Sequence, residues 1–344
     1  SAAALVHMIE HDIRPRDIIT AGSIRNAVRV MLAVGGSTTT IKHLQAVATE
    51  AGVDVDVWEA YRTLGRSTPV LCSVRPNGDT LTEQFEDAGG GATIIRELLP
   101  LLDADQLTVT GRTVAENAAA ARPADGDIIR PVTAPYSTDP AIVVLRGSLA
   151  PGGAVAKRPV PDAGPKQFTG PARVFDTREQ AIDGISDGTL RAGDVAVIGG
   201  IGAVGGPALG FTSSFIFALN ARGLADKVAF VTDGQFSGLV NQGITVGEVS
   251  PEGIADGPLG RVRDGDEIAI DLTEGSLDLH VPEGVLAARE VYAPTEARDT
   301  GGGYLDQYRE LVQPLSCGAV LGCQACGLCD QHDDPAVAGA GGAA

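Results

Sequence analysis

Val228-Ala229-Phe230-Val231-Thr232-Asp233-Gly234-Gln235-Phe236-Ser237-Gly238 is an apolar run that stops in a glycine turn and then presents a hydroxyl. A short, continuous run of β-branched and aromatic residues bounded by turn residues predicts a strand buried on both faces. The Asp233-Gly234 pair predicts the turn, because glycine adopts backbone angles closed to other residues and the aspartate side chain bonds nearby N–H groups. Ser237 then stands at the mouth of a cleft. The alternative is an ordinary turn that Ser237 merely caps.

Outward from this stretch, the rear half alternates short β-branched runs with glycine and proline turns. Strands are predicted over 142–145, 154–157, 172–175 and 195–198. The clearest hairpin pairs Ile268, Ile270 and Leu272 with Leu277, Leu279 and Val281, since both sets alternate with polar neighbours and Thr273-Glu274-Gly275 supplies the turn. The front half has a different texture. Ile24, Ala27, Val28, Met31 and Leu32 fall on one face of a helix, and further helices are predicted from Thr39 and over 57–64, 91–102 and 113–121. Gly35-Gly36-Ser37-Thr38-Thr39-Thr40 joins the first two helices; its glycines allow an unusual path, and its hydroxyls can cap the next helix or its amides face an anion. The change near Pro131–Pro140 sets a boundary. The expected organisation is 1–135 as a partial α/β front domain, 136–312 as a β-rich, barrel-like rear domain with flanking helices, and 313–344 as a cysteine-containing tail.

The 344 residues are 44% hydrophobic, enough for a substantial core. Twenty-six basic against 44 acidic residues leave a formal net charge of −18, which opposes nucleic acid and anionic membrane. No run approaches the roughly 20 apolar residues that span a bilayer, and residues 1–10 lack the basic start of a secretory signal. The chain therefore reads as cytoplasmic. Four of the five cysteines crowd near the end: Cys317, Cys323, Cys326 and Cys329 give C-x5-C-x2-C-x2-C, a spacing compatible with an iron–sulfur cluster or zinc. A reduced, mobile tail is the alternative. Cys72 reads as a buried small side chain, and His43 as a packing or hydrogen-bonding residue.

Gly35-Gly36-Ser37-Thr38, Leu149-Ala150-Pro151-Gly152-Gly153-Ala154-Val155, Gly170-Pro171-Ala172-Arg173-Val174-Phe175, Thr232–Gly238, Val249-Ser250-Pro251-Glu252 and Asp264-Gly265-Asp266 occur in one order. Together they resemble the dihydroxy-acid and sugar-acid dehydratase family, from about Ile13 to Tyr308. Gly303-Tyr304-Leu305-Asp306-Gln307-Tyr308 is similar to the end of the sugar-acid branch. The resemblance implies a hydro-lyase, a lyase that removes water from a small hydroxy-acid substrate, a dihydroxy acid or sugar acid, to give a 2-keto acid. It implies Mg2+ and an iron–sulfur cluster, a catalytic base at Ser237, and substrate contacts at Ser37, Thr38, Asp233 and Gly234. The family's cluster cysteines and first magnesium ligands would precede Ser1, so a separate front subunit or a homo-oligomer is an expected partner.

Four positions depart from the family. Phe211 stands where a metal-binding glutamate is usual, Gln235 replaces an arginine, Thr39 an asparagine and Glu248 a histidine. These departures support a second reading, a non-catalytic or degenerate dehydratase-like subunit. A third comes from Gly200-Ile201-Gly202-Ala203-Val204-Gly205, which follows the strand over 195–198 and matches G-x-G-x-x-G. An NAD-dependent oxidoreductase would use those amides for pyrophosphate, although Pro207 and Gly210 interrupt the helix that should follow.

Overall fold

The computed structural model describes residues 2–158, 164–206, 209–238, 242–255, 257–291 and 302–322. They form two compact units, one of residues 2–142 and one of residues 143–158 together with 164–322.

The first unit is helical: α1 (Ala2–Glu10), α2 (Pro15–Ile18), α3 (Ala21–Ala33), α4 (Thr40–Ala51), α5 (Val57–Leu64), α6 (Thr82–Asp87), α7 (Gly90–Leu98) and α8 (Val114–Ala119). Helix α3 starts where the Thr20 hydroxyl accepts the Ser23 N–H at 3.0 Å and the Ser23 hydroxyl accepts the Thr20 N–H at 2.9 Å. These reciprocal bonds satisfy donors that the helix leaves open. Its apolar stripe faces inward as the periodicity predicts, with Ile24, Val28 and Leu32 buried. Helix α4 has no side-chain cap from Thr39; instead the Ser37 carbonyl accepts the Thr40 N–H. Ala33, Leu71, Cys72, Ile94, Leu98 and Ile129 make one core of this unit. Among its described residues strand pairing is limited to isolated bridges, including Val70 to Ser137.

The second unit is built on β1 (Ile142–Leu145), β2 (Gly153–Lys157), β3 (Gln167–Phe175), β4 (Val195–Ile198), β5 (Ala229–Thr232), β6 (Thr245–Ser250), β7 (Glu267–Asp271) and β8 (Ser276–Leu279). They form an eight-stranded sheet in the order β1-β2-β6-β5-β4-β3-β7-β8. Strands β3 to β6 pair in parallel, while β2, β7 and β8 pair antiparallel. Beyond β1, Arg146 bridges Ser276 of β8, so the two ends of the sheet meet and the barrel is nearly closed.

Alternation along the strands divides the core. Val195 and Val197 of β4 and Ala229 and Val231 of β5 enter the barrel, beside Ile268, Ile270, Leu277 and Leu279. Ala196, Ile198 and Phe230 face outward onto α9 (Arg178–Asp187) and α10 (Ser213–Ala221), where the Phe215 and Phe230 rings lie 4.8 Å apart. Two covered faces explain the unbroken apolar runs, and each large buried side chain contributes roughly 1.5–3 kcal/mol through removal from water. The predicted hairpin is β7–β8, with Ile268 opposite Leu279 and Ile270 opposite Leu277. Helices α11 (Glu283–Ala287) and α12 (Tyr304–Leu311) follow.

Candidate functional site

Strand β5 ends at Thr232, whose hydroxyl accepts the Gly234 N–H at 3.0 Å and starts the predicted turn. A Cβ at Gly234 would sit 2.6 Å from the Gly210 carbonyl, so the close approach itself requires glycine. The turn is then laced to the segment that enters α10. Gln235 N–H donates to the Gly210 carbonyl at 2.8 Å, and the Thr212 N–H and hydroxyl both donate to the Gln235 carbonyl at 3.0 Å. Ser237 N–H donates to the buried Ser213 hydroxyl at 2.8 Å. Phe236 is buried beneath it.

The far side of the turn rests on β6 and β2. Glu248 N–H donates to the Gly234 carbonyl, and a Cβ at Gly247 would lie 2.7 Å from the Phe236 ring. The bare strand at Gly247 therefore lets Phe236 cross. Gly247 is opposite Val155 of β2, and two residues further along β2 Lys157 donates from Nζ to the Gly238 carbonyl at 2.6 Å. Lys157 is buried, and burial pulls its ammonium down to about 8.

Asp233 points away from this hydroxyl turn. Its carboxylate is fully buried and accepts Gly200 N–H at 2.7 Å, Ile201 N–H at 3.0 Å and Gly253 N–H at 2.6 Å. Glu252 accepts Val204 N–H at 2.9 Å and Gly205 N–H at 3.0 Å. Burial raises both carboxyls, and the neighbouring Asp233 helps push Glu252 up to about 7. Four amides of the G-x-G-x-x-G loop are thus bonded to the chain's own carboxylates. A pyrophosphate could use them only by displacing the buried Asp233 and half-buried Glu252 side chains, so the loop does not provide an open dinucleotide site. Arg309 of α12 secures the same loop by donating to the Val204 and Gly205 carbonyls at 3.0 and 2.9 Å.

The remaining candidates fall as follows. In the helical unit, the Ser37 hydroxyl bonds that of Thr39 at 2.9 Å, and the buried Thr38 hydroxyl has no hydrogen-bond partner among the described residues. His43 is exposed. Cys72 is buried, its thiol pushed up to about 12 by desolvation, as expected for a packing residue. Phe211 is half exposed and bridges Gln235 at the serine turn. Glu248 is buried with φ +56, and Asp264 accepts the Val174 N–H at 2.7 Å as part of the scaffold. Cys317 is buried and disulfide-bonded; Cys323, Cys326 and Cys329 lie outside the described residues.

Among the described residues, no three His, Cys, Asp or Glu side chains converge to hold a metal. With Phe211 at the expected carboxylate and Cys317 the one tail cysteine among the described residues, those residues by themselves make up neither a magnesium site nor an iron–sulfur site. No helix among them is long and apolar enough to cross a membrane. Sequence reasoning missed Lys157, Ser213 and the Asp233–Glu252 pair. A lysine closing the otherwise apolar strand Gly153-Ala154-Val155-Ala156 was the available signal for the first; the pair becomes adjacent only through folding.

Residues 1–117 match the family described as Dihydroxy-acid/6-phosphogluconate dehydratase N-terminal, and residues 127–319 match its C-terminal counterpart. A dihydroxy-acid dehydratase of Moorella thermoacetica is 41% identical over 319 residues, 92% of this chain and 57% of the relative. One of Syntrophobacter fumaroxidans is 40% identical over the same shares. The chain spans a little over half the length of these curated relatives. With both halves matched in order, the chain belongs to the dihydroxy-acid/6-phosphogluconate dehydratase family.

Proposed function

We propose that this chain carries the base-bearing part of a hydro-lyase that converts a 2,3-dihydroxy acid or sugar acid to a 2-keto acid. The observation that carries the reading is the placement of Ser237 beyond β5, with its own N–H on Ser213 and the next carbonyl on Lys157. Fixing both sides of a residue aims its side chain, and a base must be aimed before its strength matters.

In the reaction, the deprotonated Ser237 oxygen takes the α-proton. The β-hydroxyl departs and takes up the proton held on Ser237, so that water leaves and the base is regenerated, and the resulting enol tautomerises to the keto acid. An ordinary serine is a weak base near neutral pH, so positive charge or N–H donors must stabilise its deprotonated form. Ser37 and Thr38 are proposed substrate contacts, Thr38 because its buried hydroxyl has no partner among the described residues. Gly234 is better assigned to the turn itself, since the Gly210 carbonyl and Ile201 fill the space beside its Cα. Asp233 is better assigned to shaping the loop, since three backbone N–H groups already engage it. Ligands for magnesium and a cluster would come from residues outside those described, by the resemblance alone.

Ser237→Ala in the holoenzyme, assayed for keto-acid release from a panel of 2,3-dihydroxy and aldonic acids, tests this reading. The expected loss is about two to four orders of magnitude in kcat with folding intact; undiminished turnover removes Ser237 as base.

Phe211 favours a second reading, a relative that keeps the fold without the metal chemistry. Inactivity of the metal-replenished wild-type protein across the panel, together with stronger magnesium binding by Phe211→Glu, would support it.

A further inference from the structure

We propose that Lys157 is a positioning residue for the Ser237 base, holding the Ser237–Gly238 peptide from the neighbouring strand and bringing positive charge to that turn. The inference rests on the reading of Ser237 as the base. It begins with the order of the sheet: β6 lies between β5, which launches the turn, and β2, which carries Lys157. A side chain on β2 can reach a turn leaving β5 only if the turn crosses β6. It does so at Gly247, where the Phe236 ring occupies the space a side chain would fill. Lys157 Nζ then meets the Gly238 carbonyl at 2.6 Å.

A surface lysine could make such a bond at little consequence. Lys157 is 4% exposed, so its ammonium has left bulk water, and a buried cation must find compensating acceptors. At neutral pH it is still mostly protonated, because burial lowers it only to about 8. A charged donor on a backbone carbonyl makes a stronger bond than a neutral one, and low surrounding polarity strengthens it further. The peptide so held follows Ser237 directly, while Ser213 holds the N–H before its side chain. One clamp comes from the helix side of the sheet strand and the other from the β2 side. Together they restrict rotation of the residue between them.

The test compares Lys157→Met, Lys157→Arg, Ser237→Ala and the Lys157→Met/Ser237→Ala double variant in the holoenzyme. Methionine keeps the length and apolar stem of lysine in a buried place, so the fold is expected to persist, and unfolding midpoints check this. The expected result is a fall in kcat of about ten- to a hundredfold for Lys157→Met with KM within about twofold. Lys157→Arg should restore most of the loss, and the double variant should be no slower than Ser237→Ala. Amide hydrogen exchange over residues 235–238 should quicken in Lys157→Met and not in Lys157→Arg, a readout that needs no turnover. Unchanged exchange in a folded Lys157→Met overturns the inference. So does full kcat in Lys157→Met when Ser237→Ala is inactive. Full turnover by Ser237→Ala instead removes the base reading, whatever the exchange shows.

Discussion

The loop over residues 199–206 and the loop over residues 35–39 both set glycines and small side chains between regular elements. In the first, Gly200, Ile201, Val204 and Gly205 donate their N–H groups to Asp233 and Glu252. In the second, the buried Thr38 hydroxyl has no partner among the described residues. The first loop spells a ligand-binding signature, but the chain supplies the acceptor carboxyl groups itself. The second leaves a polar atom for something else to satisfy. A glycine-rich spelling therefore marks backbone that can surround an anion, and the identity of that anion depends on what the rest of the fold delivers.

Three substitutions can break or sharpen this contrast. Asp233→Ala would leave three backbone donors without their acceptor, and should cost about 3–5 kcal/mol of stability in urea unfolding. A loss below about 1 kcal/mol would mean that the loop is held chiefly by other contacts.

Glu252→Gln should act through pH. Glu252 binds its proton more tightly in the folded chain, at about 7, than at its ordinary value of 4.5. Its favourable contribution is therefore complete below pH 4.5 and is lost as pH rises through about 7, an effect of up to about 3 kcal/mol. Unfolding curves at pH 5 and pH 8 should show this decline in the wild type and a flatter profile in Glu252→Gln. Equal slopes would show that Glu252 is not the titrating group.

The smallest effect belongs to the other loop. Thr38→Val replaces a hydroxyl without a partner among the described residues by a methyl of similar size and should raise stability by up to about 1 kcal/mol while weakening substrate affinity. A clear destabilisation would reveal a structural bond at Thr38.

Much of the barrel was legible because alternation and continuous apolar runs are properties of neighbouring residues. The β7–β8 pairing follows directly from Ile268, Ile270, Leu277 and Leu279. The first half of β3 was not legible: Gln167-Phe168-Thr169-Gly170-Pro171 lacks an apolar rhythm, and its strand character comes from pairing with β7. Helix α10 was also missed, since Phe215, Ile216 and Leu219 are buried with Phe217 exposed and no clear stripe signals a face. At the candidate site, the turn carrying Ser237 could be read from Asp233-Gly234. Its supports could not, because Ser213, Lys157 and Gly247 reach it from three other segments. Asp233 was expected at the substrate from the family resemblance, whereas its bonds to Gly200 and Gly253 come about only through tertiary folding.

Gly247 gives the proposed site an unusual mutational profile. The location of Ser237 depends on a strand position with nothing on it, so the feature most easily damaged is one that carries no functional group. Even Gly247→Ala would push against the Phe236 ring and the Gly234 carbonyl, so the turn or the strand beneath it must shift. Such a change could silence the chemistry while every hydroxyl, carboxylate and ammonium stayed in the sequence, and a variant scored only by its polar inventory would pass as intact.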